Sequence, residues 1–596
     1  MAEKYRSLSE NEIAKLLSGG STAPDWQNVE VNQNFNPEYV VNVHFSGKIT
    51  LGAFDKTFEL SGGLRQHSGL YNCIIHNCVI GNNVYINKIH NYIANYTIGD
   101  GTFIENCDLL LTDTDSSFGN GVSVKVLNES GSHSIKIFDN LNAQLAYIFT
   151  LYRQPALTDR LTEKIDNYAE SITKTIGEIG ENVKIINSGT IKNTRIGDNA
   201  DIFGAVSLEN GSINSESDAP IFIANGVKMS NFIVSSNSRI SDFALLENCF
   251  VGQGCKIGKQ FSAIDSLFFA NCEMFHGEAV SVFAAPHSVS HHKSTLLIAG
   301  IYSFFNAGSG ANQSNHNYGL GAIHQGIFER GVKLGSSSYL LLPVKIGAFT
   351  IVAGKHKSHP DTLELPFSYL LENEGESYLL PARNFVNAGF ERDCKKFLQR
   401  DNRASLNQLD FIVYEQLNPL TVKAIRNALD LLATLQEEEK KEIYTYKNCK
   451  ITYKALRKGI SYYAMAIDLF FGNELNRILS DVDLNNSDEI RKKLQADGIA
   501  GNGDWLDLAG LPVPKSEVEK LLNQIENDNL SLVQINAAIR QFADNYDKYK
   551  HNWLIENILD VFGKNLDEIG SDDIKMWLNL HNIQKQKYLE LMLNDK

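Results

Sequence analysis

Apolar residues recur along much of the chain at every sixth position. Starting from Ile74, the six-residue step lands on Ile80, Ile86, Tyr92, Ile98, Ile104 and Leu110. An amphipathic helix repeats about every 3.6 residues, whereas a short strand followed by a tight turn fits a repeat of six. The branched residue points inward once per strand, and glycine, asparagine or aspartate takes the corner. The pattern therefore predicts a left-handed parallel β-helix built from hexapeptide repeats.

The same six-residue step returns in three later runs, each with its own phase. These runs are Ile196 to Leu208, Leu245 to Phe275 and Leu334 to Val352. Stacked coils pair their strands in parallel, so the inward side chains should form one continuous apolar ladder. The side chains expected to point into the β-helix include Ile80, Ile98, Val251, Ile257 and Ile346.

Where the six-residue step fails, the chain is expected to leave the β-helix. Residues 140–176 carry apolar side chains at helical spacing with few turn residues, and helical patterns dominate after Arg400. The sequence thus predicts a β-solenoid with a helical insertion and a C-terminal α-helical domain. The predicted boundaries are an N-terminal helical or extended segment at 1–40, β-helix at 41–139, helical insertion at 140–176, β-helix with a histidine-rich site at 177–355, an extended connection at 356–400, and a helical domain at 401–596.

Composition and charge exclude several classes of function. With 596 residues, 43% of them hydrophobic, the chain is long enough for more than one core. Its 55 Lys and Arg against 70 Asp and Glu give a net charge of −15 without a basic block, which argues against a nucleic-acid partner. We find neither a secretory signal nor a membrane-spanning window. We therefore expect a cytoplasmic protein whose eight cysteines are reduced.

Histidines concentrate in one part of the predicted β-helix. Seven of the 15 lie between His287 and His359, in the clusters "PHSVSHH", "SNHNY", "IHQG" and "GKHKSHP". Because residues about one or two coils apart lie above one another, these clusters can converge on one face. The glycine- and asparagine-rich stretch at 308–326 would then form a polar binding surface beside them.

Two chemistries would use such a group of imidazoles. In acyl transfer, a histidine takes a proton from a hydroxyl or amine while amides stabilise the oxyanion, as Asn312, Gln313, Asn315 and Asn317 could do. In a zinc site, three neutral imidazoles leave an open fourth position that activates water or a carbonyl. The predicted zinc ligands are His287, His316 and His356. The spacing alone does not decide between the two.

The run from Ala307 to Gly354, "AGSGANQSNHNYG" followed by "GVKLGSSSYLLLPVKIGAFTIVAG", resembles part of a known enzyme family. It is similar to the end of the acetyltransferase β-helix of bifunctional UDP-N-acetylglucosamine pyrophosphorylase/glucosamine-1-phosphate acetyltransferase. The resemblance implies a substrate-positioning pair at Asn317 and Tyr318 and a catalytic base at His292 or His291. The cation that follows the pair in that family is absent here, and no "GxGTRM"-like nucleotidyltransferase loop occurs.

Over its full length the chain resembles a bacterial family of unknown function, seen mostly in Bacteroidetes and known only as hexapeptide-repeat proteins. The segments that carry this resemblance are "YRSLSENEIAKLLSGG", "FSGKITLGAF" and "GLRQHSGLYNC". It supports the architecture and supplies no reaction. Hexapeptide transferases usually form trimers, so the class also implies a homo-oligomer.

Together these observations predict a hexapeptide-class transferase that moves an acetyl or other acyl group from acyl-CoA to a sugar or sugar nucleotide. The predicted catalytic residues are His292, His291 and His316, and the predicted substrate-binding residues are Asn312, Asn315, Asn317, Tyr318, His324 and His356. Two alternatives stay open. One is a γ-carbonic-anhydrase-like zinc enzyme, and the other is a non-catalytic sugar-nucleotide-binding or scaffold protein.

Overall fold

Stacked parallel strands form most of the molecule in the computed structural model, which describes residues 5–314, 325–438, 441–527 and 530–594. Each short strand pairs in parallel with the strands one coil before and one coil after it. Leu246, Ala263 and Ala279, for example, follow one another in register and are all buried. The predicted fold class, a β-solenoid with added helices, is confirmed.

The strands before and within the insertion, β1 to β13, are Tyr5–Ser7, Val29–Asn32, Val40–Leu51, Thr57–Glu59, Arg65–His67, Gly69–Ile80, Tyr85–Ile89, Ile93–Ala94, Tyr96–Ile98, Phe103–Cys107, Leu109–Leu111, Ser123–Lys125 and Ser134–Lys136. Strands β14 to β26 are Gly177–Ile179, Lys184–Ile186, Thr190–Ile196, Asp201–Phe203, Ser207–Asn214, Phe222–Ile223, Lys228–Ser235, Arg239–Ile240, Leu245–Val251, Lys256–Gly258, Ser262–Phe268, Glu273–Phe275 and Gly277–Val280.

The solenoid continues with β27 to β38, which are Phe283–Ala284, Val289–Ser290, Thr295–Ile298, Gly300–Tyr302, Asn306–Ala307, Asn312–Ser314, Gly326–Phe328, Lys333–Leu334, Tyr339–Leu341, Val344–Ile346, Ile351–Ala353 and Lys355–His356. Antiparallel pairs follow as β39 to β44, which are Tyr369–Asn373, Glu376–Leu380, Ile443–Tyr446, Cys449–Thr452, Trp505–Leu508 and Leu511–Pro514.

The helices lie before, beside and after the solenoid. Helices α1 to α6 are Glu10–Ser18, Ala143–Leu151, Pro155–Ile172, Ala388–Gln399, Pro419–Glu438 and Tyr453–Ile478. Helices α7 to α12 are Ser487–Lys493, Lys515–Asn527, Leu532–Asp544, Tyr546–Glu556, Ile558–Phe562 and Ser571–Asn594. None of the helices in the described parts of the chain is long and apolar enough to cross a membrane.

Asparagines turn corners of the solenoid, both between strands and within some of the longer ones. Asn72, Asn83, Asn95 and Asn106 have φ values of 50°, 59°, 58° and 55°. This left-handed backbone conformation is one that asparagine tolerates better than branched residues do. The local sequence therefore sets the corner positions, and the apolar residues between them point inward.

Most of the expected inward side chains are confirmed, because Ile80, Ile98, Val251, Ile257 and Ile346 are at most 1% exposed. For other positions in the six-residue runs, the prediction of an inward side chain is wrong. The structure exposes Ile74, Tyr92 and Leu245, and it places Phe269 and Phe275 outside the coil. Their neighbours in the sequence, Ile75, Ile93, Leu246, Phe268 and Met274, are the inward residues.

The physical reason is that inward residues are unevenly spaced. Ile75, Ile80, Ile86 and Ile93 are 5, 6 and 7 residues apart within one coil, and the coil length also changes along the solenoid. Strand register pairs Tyr85 with Phe103 in an early coil and Lys256 with Glu273 in a later one, so the later coil is shorter by a single residue. A missing residue shifts the phase by one, and a shift of one turns each strand side chain to the opposite face. A fixed step of six therefore misses the inward face at some positions of a coil and again where the coil length changes.

A row of aromatic residues on the outer face of the solenoid is buried by the insertion and the C-terminal helices. Phe250, Phe269 and Phe283 pack with side chains of α2, α3, α8 and α9 in one apolar cluster. The insertion includes the β12–β13 hairpin as well as its two helices. These contacts hold the helical parts against one side of the solenoid.

Residues 356–400, predicted as an extended connection, are more regular than expected. β39 extends the solenoid by pairing with β37, β40 folds back on it, and α4 follows. The sequence did not reveal helix α4, because most of its residues are polar or charged and it buries only a narrow stripe that includes Phe390 and Cys394. After α4 the chain runs along the solenoid, where both oxygens of buried Asp410 accept backbone N–H groups, from Ala143 and Ala270, at 2.7 Å.

Candidate functional site

The histidine-rich region divides into residues that the structure describes and residues that it does not. His287, His291, His292, His356 and Asn312 lie in the described part of the chain. The other predicted site residues lie outside it, and they are Asn315, His316, Asn317, Tyr318 and His324.

One predicted histidine forms a pair with a carboxylate. His291 Nε2 lies 2.6 Å from Glu273 Oε2, and the side chains are 31% and 12% exposed. The hydrogen bond from His291 lowers the pKa of Glu273 to about 2, with a further contribution from Lys256. The His291 ring also stacks on Phe275, with the ring centroids 5.3 Å apart. These contacts fix the orientation of the imidazole at a corner of the solenoid.

Glu273 was missed from the sequence, although a signal for it exists. It precedes His291 by close to the length of one coil, so the two positions had to be near neighbours on adjacent turns. A carboxylate one coil before a histidine is therefore the pattern to seek in such repeats. The exposed neighbour His292 has no comparable partner among the described residues, since only its backbone carbonyl accepts a bond, from Thr295 at 3.1 Å.

The corner that carries His291 and His292 lies directly beside the start of the glycine- and asparagine-rich stretch. Gly310 N donates to Lys293 O at 3.3 Å, and β32, which begins at Asn312, pairs with β29. Asn312 is half-buried on the outer face, next to this corner. Gln313 differs from expectation, because it points into the solenoid, where Tyr302 donates a hydrogen bond to it. It cannot serve as an oxyanion donor on the surface.

His287 and His356 are both buried, in separate places. His287 lies under α4 and the segment after it, with Nε2 3.1 Å from the Tyr414 hydroxyl, and burial lowers its pKa to about 3. His356 points into the solenoid, where Nδ1 lies 2.8 Å from Ser377 Oγ and Nε2 lies 3.2 Å from Ala353 O. Burial also lowers the pKa of His356.

These positions do not fit a zinc ion shared by His287 and His356. Strand register places the two residues three coils apart, which at about 4.8 Å per coil is roughly 14 Å. Both ring nitrogens of His356 are already engaged. Within the described ranges, no three His, Cys, Asp or Glu side chains come together as a metal site would require. His316 lies outside those ranges, so the zinc prediction stays a prediction.

A second candidate site is a cavity that the sequence did not reveal. It has a volume of about 310 Å³ and lies between the outer face of the solenoid, α2, α5 and the β43–β44 hairpin. Its apolar wall includes Leu151, Ile301, Ile327, Leu363, Leu420 and Trp505.

Three charged side chains face this cavity, and two of them, Arg330 and Asp507, are incompletely paired. Arg330 is 2% exposed; its Nη2 donates to Val413 O at 2.6 Å, but Nε and Nη1 have no hydrogen-bond partner among the described residues. Asp507 Oδ2 lies 3.9 Å from Arg330 Nε, too far for a hydrogen bond, and it is likewise unpartnered within the described parts of the chain. A buried polar group left unpaired costs about 1–3 kcal/mol, so such groups require an explanation.

The third charged group, Glu329, is surrounded by protein but stays accessible because it faces the cavity. Its Oε2 accepts a hydrogen bond from Ala348 N at 2.9 Å. Desolvation, with smaller contributions from Asp507 and Asp361, raises the pKa of Glu329 to about 7. The carboxyl is thus held close to the balance point between its charged and neutral forms near neutral pH.

Glu329 should make the stability of the protein depend on pH in a defined direction. A carboxyl whose pKa is raised from 4.5 to about 7 by folding favours the folded state below pH 4.5 and loses that contribution as the pH rises to about 7. We expect the melting temperature of Glu329→Gln to rise relative to that of the wild type as the pH increases from 4.5 to about 7. Scanning calorimetry at a pH near 4.5 and at one above 7 measures the gain.

The matched control for this prediction is Glu247→Gln, because Glu247 is an exposed glutamate on β22 of the same solenoid. Its melting temperature should differ from the wild type by the same amount at both pH values. If Glu329→Gln behaves like this control, Glu329 is not desolvated as described.

The cavity residues could not be grouped from the sequence. Glu329 and Arg330 occur in "IFERG" and Asp507 in "WLDLAG", in distant parts of the chain, and neither segment has a spacing typical of a site. Tyr147 comes from the insertion, and burial beside Asp507 raises its pKa. Only the docking of the helical parts on the solenoid brings these side chains together.

Comparison with known proteins gives a family but no reaction. One family profile, described as Domain of unknown function (DUF4954), matches residues 5–436, and a second, Domain of unknown function (DUF6819), matches residues 486–596. An uncharacterized protein of Treponema pallidum (strain Nichols) is 26% identical over 459 residues, which are 72% of this chain and 61% of the relative. The chain thus matches less than two thirds of that relative's length.

These matches confirm the expected membership of a family of unknown function, whereas the resemblance of residues 307–354 to the acetyltransferase stays a prediction. The first profile includes His291, Glu273 and the solenoid wall of the cavity, while Asp507 lies in the second. Because the first profile covers well over half of the chain, the protein belongs to the DUF4954 family.

Proposed function

We propose that the protein is a transferase that moves an acyl group from a thioester to a hydroxyl or amine of a sugar or nucleotide sugar. The parallel β-solenoid is compatible with hexapeptide transferases. The observation that carries the proposal is the 2.6 Å contact between His291 and Glu273 at an accessible corner. A histidine oriented by a carboxylate is the arrangement that general-base catalysis uses.

The pair supports a defined role for each group. Glu273 holds the proton on His291 Nε2, which leaves the Nδ1 lone pair to accept a proton from the attacking hydroxyl or amine. The C–O or C–N bond forms as the thioester C–S bond breaks, and the proton on Nδ1 then passes to the departing thiolate. His292, the neighbour on the same corner, is the other predicted base, but it lacks an orienting carboxylate among the described residues.

Lysine side chains near the His291–Glu273 pair favour a negatively charged acyl donor such as acyl-CoA. Lys259 Nζ lies 4.8 Å from the centroid of the Phe275 ring, the same ring on which His291 stacks. Lys256 Nζ lies 3.3 Å from Glu273 Oε1, and Lys293 is exposed beside His292. Phosphate groups of a donor would find complementary charge on this side of the solenoid.

The test is a direct search for turnover. The purified full-length protein is incubated with acetyl-CoA or longer acyl-CoA donors and with amino sugars or nucleotide sugars, and the released thiol is measured. We expect thiol release that requires an acceptor. Release that never depends on any acceptor, or that His291→Gln leaves unchanged, contradicts the proposal.

A further inference from the structure

The cavity at Arg330 contains hydrogen-bonding capacity that the protein itself does not use. Two nitrogens of Arg330 (Nε and Nη1), one oxygen of Asp507 and the hydroxyl of Ser303 have no partner among the described residues. All three residues line the cavity, and Arg330 and Ser303 are only 2% and 7% exposed. Buried polar groups in native proteins are nearly always paired, so a set of unpaired groups around one cavity needs a partner inside it, either water or a ligand.

The charged side chains around the cavity suit two kinds of ligand group, one negative and one positive. Nε and Nη1 of the Arg330 guanidinium are charged donors without a partner among the described residues, and a carboxylate is an acceptor that such donors bind strongly. Asp507 and Glu329 offer acceptors that suit an ammonium group. Asp507 Oδ2 lies only 3.9 Å from Arg330 Nε, so a ligand that satisfies both must carry its opposite charges close together.

The remaining wall favours an apolar body next to this charged end. Ile301 and Ile327 present their side chains from adjacent solenoid strands, and Leu420 and Trp505 close the cavity from the helical domain. A volume of about 310 Å³ is at the lower end of the range for small-molecule sites. It suits a molecule with a charged head and a short hydrocarbon or aromatic side chain.

We propose that this cavity is a binding site for a small zwitterion of the α-amino-acid type with an apolar side chain. Arg330 binds its carboxylate, Asp507 and Glu329 bind its ammonium group, and the wall formed by Ile301, Ile327 and the helical domain contacts its side chain. The inference does not depend on acyl transfer, because neither His291 nor Glu273 lines the cavity.

The site also links the solenoid to the C-terminal region. Arg330 and Glu329 follow β33, whereas Asp507 lies in the β43–β44 hairpin, where Gly510 N donates to its Oδ1 at 2.7 Å. A ligand bound to both sides therefore stabilises their docking, and binding should raise the melting temperature of the full chain.

The binding experiment uses the full-length protein and the twenty standard L-amino acids. Melting temperature identifies candidates, and isothermal titration calorimetry gives their affinities. For the best apolar amino acid we compare two truncated probes, its N-acetyl derivative without the ammonium group and the amine without the carboxylate. We expect each probe to bind about 10- to 150-fold more weakly than the zwitterion, the usual cost of losing a charged hydrogen bond.

Variants assign the binding to this cavity. Asp507→Asn keeps the size of the side chain but removes its charge. It should weaken binding of the amino acid by about 10-fold or more and leave binding of the N-acetyl probe unchanged. Arg330→Met should abolish the preference for a carboxylate. Since Arg330 also holds Val413, Asp507→Asn decides the outcome if Arg330→Met does not fold. Asp544→Asn, an exposed aspartate on α9, is the matched control and should bind as the wild type does.

Several results would overturn the proposal. Saturable binding by none of the twenty amino acids at millimolar concentration removes it. The proposal also fails if either truncated probe binds as tightly as the zwitterion. It fails as well if Asp507→Asn does not change the affinity for the amino acid. A failed search for acyl transfer has no bearing on these measurements, and failure here leaves the His291 proposal intact.

Discussion

Replacing His291 by glutamine is expected to lower the turnover number of acyl transfer by about 10²- to 10⁴-fold, the usual contribution of a positioned general base. Glutamine can keep a hydrogen bond to Glu273 but cannot accept a proton at neutral pH. The Michaelis constant should change little, because the base acts mainly in the transition state. Steady-state kinetics with the donor and acceptor found by the turnover search measures both constants.

The matched control is His292→Gln, which removes the exposed neighbouring imidazole and should keep most of the activity. Glu273→Gln tests the orienting role. We expect it to reduce the turnover number less than His291→Gln does and to shift the pH dependence of the rate, because the charge beside the imidazole is lost. A large loss in His292→Gln with none in His291→Gln would show that the base has been assigned to the wrong histidine.

Replacing Ile257 by lysine is expected to cost about 2–5 kcal/mol of unfolding free energy, as other disruptions of packed cores do. Ile257 is 1% exposed and points into the solenoid, where parallel pairing places it between Ile240 and Met274. The lysine ammonium group would have no partner there and would lose its hydration. Chemical denaturation followed by circular dichroism measures the change.

Leu245→Lys is the matched control for the core prediction. Leu245 lies on the neighbouring strand β22, but it is 50% exposed, so the same substitution should change stability by no more than about 0.5 kcal/mol. If Ile257→Lys unfolds like this control, the inward face has been assigned to the wrong residues in this run. The pair of variants therefore tests the phase of the solenoid as well as its stability.

The candidate site could be predicted from sequence only where its residues share one solenoid corner. The spacing of the coils predicted that the histidines lie beside the stretch that begins at Gly308, and in the described part Gly310 N donates to Lys293 O next to His292. It did not reveal that His356 faces inward. The pattern of short strands is the same on both faces, and only the local phase decides which face a residue occupies.

The sequence by itself determined the solenoid and its corners. A short strand and an asparagine such as Asn72 or Asn106 in the left-handed conformation depend on only a few neighbouring residues. The repeat can therefore be recognised from short stretches of sequence. It also determined that helices interrupt and follow the solenoid, since their apolar spacing of three and four residues is likewise local.

Only the tertiary structure decided the phase of each coil, the pairing of His291 with Glu273 and the cavity at Arg330. The spacing of inward residues varies within a coil and the coil length varies along the solenoid, and a shift of one residue reverses a face. The cavity depends on docking between segments as distant as Tyr147, Arg330 and Asp507. Such contacts follow from the shape and burial of whole surfaces, which no local spacing encodes.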